Sequence, residues 1–451
     1  MHIFSHPKQR QLLAIALPMI ASNLTIPLLS LVDTAVLGHL EHARYLGGVA
    51  LGGSVISLLY MLLGFLRMST TGLTAQAFGA NNKQALRSGL LQAAAIAIAL
   101  ALLLLLIHPL IWPLVQQFSD ASAEVLTQGE RYFQIRIWSA PATLLNMVLL
   151  GWFLGLHNAR LPMWLLIVNQ GLNIVLDLLF VLGFGWRVEG VAAASVLADY
   201  SCLLLGLYLA RRCWRQLALA PLQLTKGFSQ RLSQLLSQPG YRRLFALNRD
   251  IFIRSLCLQL VFVFMAFQGA GFGDNVVAAN AVLLSFLMLV SYALDGFAYA
   301  AEACTGKEVG AANADKENTE LNVLLRLLAY WALALGILFC LLFMLFGEQL
   351  ISLLTSITAV QNTANQYLPW LMLLPLISVW SYLLDGIYIG ATQGRAMRNS
   401  MLISFAGFGL CYLLAQPLHN HGLWLAFSLF MLLRGLTLGL PLYRKGSAAL
   451  F

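Results

Sequence analysis

Twelve predominantly apolar stretches, each about 20 residues or longer, follow one another with mostly short polar breaks, and about 20 apolar residues carry a helix across a bilayer. The predicted spans lie near 10–38, 46–78, 84–112, 122–156, 160–184 and 188–212, then 243–270, 276–306, 318–346, 358–391, 395–417 and 420–443. The chain is 60% apolar with a mean hydropathy of +0.78, more than a water-soluble surface could hide. In hydrocarbon each spanning segment must satisfy its own backbone polar groups, which favours helices. The expected fold class is therefore all-α integral membrane, with twelve transmembrane helices.

The longest polar break, roughly 213–241, carries Arg215, Pro221, Lys226, Arg231, Pro239 and Gly240. It splits the chain into an expected first lobe, 1–212, a linker loop, 213–241, and a second lobe, 242–451. The formal charge of +9 would suggest a nucleic-acid partner in a soluble protein. Here it follows topology, because cytoplasmic loops collect Lys and Arg, and no nucleic acid is expected. Lys8, Arg10, Lys83, Arg87, Arg160, the cluster from Arg211 to Arg243, Lys307, Lys316, Arg395, Arg398, Arg444 and Lys445 fall on one side, and Arg44, Arg131 and Arg187 on the other. This places both termini of a multi-pass membrane protein in the cytoplasm. Lys8 and Arg10 precede an apolar run as in a signal peptide, yet Asn23, Pro27 and Asp33 interrupt it and no small-residue cleavage site follows, so it reads as a retained first helix. The six cysteines form no CxxC pair and read as reduced packing residues.

The halves repeat. Gly151-Trp-Phe-Leu-Gly155 followed by Arg160 matches Gly386-Ile-Tyr-Ile-Gly390 followed by Arg395, 235 positions on. Gly79-Ala-Asn-Asn-Lys83 is echoed near Gly310, and Gly190 to Ser195 near Gly422 to Ser428. Six crossings per repeat give both lobes one orientation about an axis along the membrane normal, with substrate sites in or between them. The GxxxG pairs read as close-packing surfaces.

Charge inside these spans needs a reason. An Asp at a helix centre costs about 2.5–3.5 kcal/mol on insertion, so such residues usually face a cavity and handle ions, protons or substrate. Asn173 and Asp177 lie four residues apart on the fifth helix, on one face. By helical rise, Asp33 and Ser195 reach the same outer layer, with Asp199 one turn deeper. If Asp33 and Asp177 come close, desolvation and repulsion raise a carboxyl pKa and allow proton uptake near neutral pH. The same oxygens could instead hold a sodium ion, or the acids could pair with intramembrane Arg. Pro18, fifteen residues before Asp33, permits a kink or hinge. In the second half, Asp250 and Arg254 are spaced to pair with each other, Asp295 and Asp385 are secondary candidates, and Glu302 reads as a water-accessible structural residue.

Ala16-Leu-Pro18-Met, Leu31-Val-Asp33-Thr-Ala, Leu66-Arg-Met-Ser-Thr-Thr-Gly72-Leu-Thr-Ala-Gln-Ala-Phe-Gly79 and Asn173-Ile-Val-Leu-Asp177 together resemble the MATE family of multidrug extruders, in its DinF-type branch. The resemblance implies two six-helix lobes in the V-shaped MATE/MOP-type fold and drug efflux driven by inward flow of H+ or Na+. It implies a proton or cation site at Asp33, Asn173 and Asp177, a hydroxyl ligand at Ser195, and a bending role for Pro18. An aromatic found near the first-helix acid in some relatives is replaced here by Leu29. Asp385 resembles the tenth-helix acid of the sibling NorM branch, whose seventh-helix glutamate has no clear match.

The expected activity is cation-coupled antiport, with H+ first and Na+ second, of amphipathic and often cationic organic compounds by alternating access. No enzyme is expected, since GxxxxGK[ST], DDxxD and HExxH are absent, and no cofactor beyond the coupling ion. The partners are small-molecule drugs or toxic organic compounds and the lipid bilayer, with the chain working as a monomer. The alternative is a lipid-linked precursor flippase of the same superfamily.

Overall fold

Runs of Leu, Ile, Val and Ala become long helices, several of which carry proline inside them, among them Pro109, Pro113, Pro369, Pro375 and Pro441. The computed structural model describes residues 7–27, 43–119, 121–219, 239–314 and 320–451. Among them it is all-α, and eleven helices are long and apolar enough to cross a membrane. The first helix, described over Pro7–Asn23 with Pro18 inside it, belongs to the remaining predicted span.

We label the helices α1 (Pro7–Asn23), α2 (Ala43–Leu62), α3 (Phe65–Gly79), α4 (Lys83–Phe118), α5 (Ala123–Arg136), α6 (Ala140–Gly155), α7 (Arg160–Asp177) and α8 (Val188–Gln216). The second half supplies α9 (Pro239–Ala270), α10 (Asp274–Ala314), α11 (Glu320–Leu354), α12 (Thr358–Gly390), α13 (Gly394–Ala415) and α14 (Asn420–Lys445). Three helix pairs form single spans: α2 with α3, α5 with α6 through a 3-10 turn at Ile137–Ser139, and α7 with a π-helical turn at Leu178–Gly183. Asn82 starts α4 by accepting the Ala85 amide at 2.9 Å, and Ser122 starts α5 by accepting that of Val125 at 3.4 Å, as N-cap side chains do.

Two compact units result, Leu24–Phe245 and Met1–Asn23 with Ala246–Phe451. The repeat placed 1–212 together, whereas contacts group the described part of α1 with the second half. Four contacts explain this. Lys8 bridges Glu308 at 2.8 Å and Glu320 at 2.7 Å, Asn23 donates to the Tyr292 carbonyl at 3.1 Å, and Gly296 lets the Ile20 backbone press against α10.

The internal repeat is visible in the backbone of each unit. After Gly155, His157 takes φ +60°, with amides from His157 to Leu154 O (2.9 Å) and Asn158 to Phe153 O (3.1 Å). After Gly390, Thr392 takes φ +56°, with Thr392 to Ile389 O (2.8 Å) and Gln393 to Tyr388 O (2.9 Å). Each is a left-handed helix stop satisfying orphan carbonyls. The GxxxG pairs also do the same work twice. A β-carbon on Gly151 would stand 2.5 Å from Arg67 O of α3, and one on Gly386 2.6 Å from Ala298 O of α10.

Candidate functional site

In the Leu24–Phe245 unit, α7 and α8 run antiparallel and meet along a polar seam inside an otherwise apolar pair. Asn169, Asn173 and Asp177 rise one turn apart on α7, facing Asp199 and Ser195 on α8. Two rungs cross the seam: Asn169 Nδ2 donates to Asp199 Oδ1 at 3.2 Å, and Asn173 Nδ2 donates to Ser195 Oγ at 2.9 Å. The same register puts Asp177 level with Val191. Asp177 is wholly buried, and Asn173, Ser195 and Asp199 are nearly so. The Asn173 carbonyl Oδ1 is also buried and has no hydrogen-bond donor among the described residues. The seam thus brings Asn173 to Ser195 and Asn169 to Asp199, with Asp177 one turn further along α7. Asp33 and Leu29 lie outside the described residues.

Asp199 has a different setting from the other three. Its Oδ2 receives Arg136 at 2.7 Å and Thr143 at 2.9 Å, so a guanidinium already matches its charge. Arg136 also bonds Ser139 and lies 5.7 Å from the ring centroid of Tyr60, whose hydroxyl is 2.8 Å from Ser139 Oγ. Asn146 Nδ2 donates to the Asp199 backbone carbonyl at 2.9 Å. Sequence reasoning missed Arg136. The signal was available, because a basic residue inside an apolar span requires an acid at its own depth.

The second unit answers the Asp250–Arg254 expectation with a correction. Asp250 pairs instead with Arg398 at 2.8 Å and Arg249 at 3.1 Å. Arg254 reaches Asp385 at 2.5 Å, where Arg434 joins at 2.6 Å. All three groups of this triad are buried, and Arg434 lies over Phe430 and Tyr382, at 5.5 and 5.9 Å. Two guanidinium groups therefore stand at the carboxylate that a free cation would need. Asp295 is partly exposed and lies within electrostatic reach of Arg254. Glu302, expected at the water, is 1% exposed, and α12 packs against its backbone at Gly390.

All six cysteines are free thiols, and the described residues hold no cluster of three His, Cys, Asp or Glu suited to a metal ion.

The MatE family model matches residues 18–179 and 251–415. The chain is 46% identical over 424 residues to DNA damage-inducible protein F of Escherichia coli, covering 94% of this chain and 90% of that protein. It is 27% identical over 189 residues to a probable multidrug resistance protein NorM of Thermotoga maritima, covering 42% and 40% of the two chains. Its fold is similar to that in a crystal structure of MATE in complex with MaD3S, at TM-score 0.84 and 19% identity, covering 97% of this chain and 96% of that one. The match takes in the first-helix proline, the α7 polar ladder and both repeated halves, and on these grounds the chain belongs to the MATE family of multidrug and toxic-compound transporters.

Proposed function

We propose that the chain is a cation-coupled antiporter that exports amphipathic, often cationic, organic compounds. The coupling ion is a proton in the first reading and sodium in the second. The observation that carries this is the buried α7–α8 seam, where Asp177 lies one turn beyond an Asn173 whose carbonyl is held out by Ser195. By the family resemblance Asp33 would complete the set, with Pro18 as a hinge. Four oxygen-bearing groups suit either a shared proton or a hard monovalent cation. Asp199 and Asp385 are assigned structural duty, since each faces a buried guanidinium. The coupling site proposed here is therefore the one in the first half, with the partly exposed Asp295 as the remaining candidate in the second.

Coupling follows from differential affinity. Ion loading lowers affinity for the drug in the outward-facing state, and the loaded protein then reorients; an ion with equal affinity for both states would shift nothing. The proposed setting is the bacterial inner membrane, both termini cytoplasmic, with one chain containing a complete pathway.

The test is efflux of a fluorescent cationic dye from vesicles reconstituted with purified protein, under a proton gradient or a sodium gradient alone. Efflux driven only by protons and abolished in Asp33→Asn and Asp177→Asn establishes the carboxyl carrier, whereas sodium dependence recasts the same residues as a cation cage. Wild type that moves no dye under either gradient overturns drug antiport and promotes a lipid-linked substrate.

A further inference from the structure

A groove of about 810 Å³ lies between α4, α6 and α8, at the end of the first unit where α4 begins and α8 stops. Leu90 and Leu91 form one wall, Leu207 the other, and Leu145 and Val148 the floor. Polarity enters at one end alone, where Arg211, Trp214 and Arg215 form the mouth. Leu207, Arg211 and Arg215 are four residues apart in turn and so share one stripe of α8. Both arginines are exposed, no acid lines the groove, and Lys83 and Arg87 begin α4 at the same end.

These dimensions match one leaflet. Along α8, Leu207 lies about 6 Å from Arg211 and about 12 Å from Arg215, within one half of a hydrocarbon core about 30 Å thick. The apolar walls therefore span acyl-chain depth while the guanidinium groups and the indole sit at headgroup depth, where tryptophan concentrates. Basic pockets between helices at such a face recognise anionic headgroups, and guanidinium matches a phosphate through paired N–H donors.

We propose that this groove is a binding site for an anionic phospholipid, one acyl chain lying against Leu90, Leu145 and Leu207 and the phosphate held by Arg211 and Arg215. The proposal stands apart from the coupling site and from the identity of the transported compound.

Native mass spectrometry of the full chain released from detergent tests it, with phosphatidylglycerol and phosphatidylcholine of identical acyl chains as probes and glycerol phosphate as the headgroup alone. Wild type is expected to bind phosphatidylglycerol preferentially. Arg211→Gln with Arg215→Gln, both exposed positions, is expected to lower that preference by roughly fivefold per arginine. Ala94→Trp, which fills the groove, is expected to reduce occupancy by both lipids. The proposal is overturned if the double variant keeps its preference, if Ala94→Trp leaves phosphatidylglycerol occupancy unchanged, or if glycerol phosphate displaces the lipid as well as the whole lipid does.

Discussion

Asn173 donates through Nδ2 to Ser195 Oγ at 2.9 Å, and that bond decides which way the amide faces. Its carbonyl oxygen is left buried with no hydrogen-bond donor among the described residues, one helical turn before Asp177. Ser195→Ala removes the acceptor, leaving a buried donor whose unmet bond costs about 1–3 kcal/mol unless the amide turns. The expected result is an apparent ion affinity weakened by about tenfold, with Ser195→Thr near wild type. Efflux rate against ion concentration reads both, and an unshifted Ser195→Ala would show that the hydroxyl does not orient Asn173.

Asp177 is wholly buried on α7, where taking up or releasing a proton changes charge away from water. Asp177→Asn keeps the shape and removes the titratable group. Gradient-driven efflux is expected to fall to the rate of protein-free vesicles, while the melting temperature in detergent stays close to that of wild type. A variant that melts much earlier and still couples residual transport would make Asp177 a fold determinant instead.

The spans were legible because the length of an apolar run is a direct consequence of bilayer thickness. Pair partners were not, and the Arg254 case shows why. Asp250 lies four residues before it, a spacing that permits a helical pair, yet Asp250 meets Arg398 and Arg254 meets Asp385, 131 residues away. Spacing along one helix says which face a charge shares, not which neighbouring helix supplies its partner. Arg136 and Arg434 were overlooked for a related reason, since each is one basic residue in an apolar span whose acid lies on another helix. Depth counted at a fixed rise per residue placed Ser195 in the layer of Asp177, one turn from where it lies, since Ser195 meets Asn173 and Asp199 meets Asn169.

Asp385 holds two buried arginines, and Asp385→Asn would remove the carboxylate that both of them contact. Breaking a buried pair this way typically costs about 3–5 kcal/mol. The variant is therefore expected to lose stability without changing ion specificity, and Arg254→Gln added to it should recover part of the loss. Thermal unfolding of the two single variants and the double variant supplies the coupling energy. Strictly additive losses would mean that Arg254 and Asp385 do not depend on each other.

The Asp199–Arg136 pair differs in having neutral supporters. Thr143 and Asn169 also donate to the carboxylate, so Asp199→Asn keeps a hydrogen-bond acceptor for them while stranding the guanidinium. Arg136→Met leaves the opposite remnant, a carboxylate with two neutral donors. The Asp199→Asn and Arg136→Met single variants should each destabilise by about 3–5 kcal/mol, and the double variant by less than their sum. Because Asn169 is one turn from Asn173 on α7, the single variants should also weaken ion affinity. Unaltered ion affinity in both would separate this network from the coupling seam.

Gly151 and Gly386 make the repeat testable at the level of packing. A β-carbon at either position meets a backbone carbonyl of the neighbouring helix, Arg67 O at 2.5 Å or Ala298 O at 2.6 Å, and a backbone in a packed helix cannot yield as a side-chain tip does. Alanine at either site forces α3 from α6, or α10 from α12, at an overpacking cost of about 1–3 kcal/mol. Gly89 of α4 has open space where its β-carbon would stand, so alanine there should be neutral or stabilise by up to about 1 kcal/mol through helix propensity. Melting temperatures of Gly151→Ala, Gly386→Ala and Gly89→Ala under one detergent condition compare the three directly. Two comparable losses beside a neutral Gly89→Ala would show that the repeated glycines serve close helix approach in both halves, whereas a loss in one half alone would mean that the two have diverged in how firmly these helices are held.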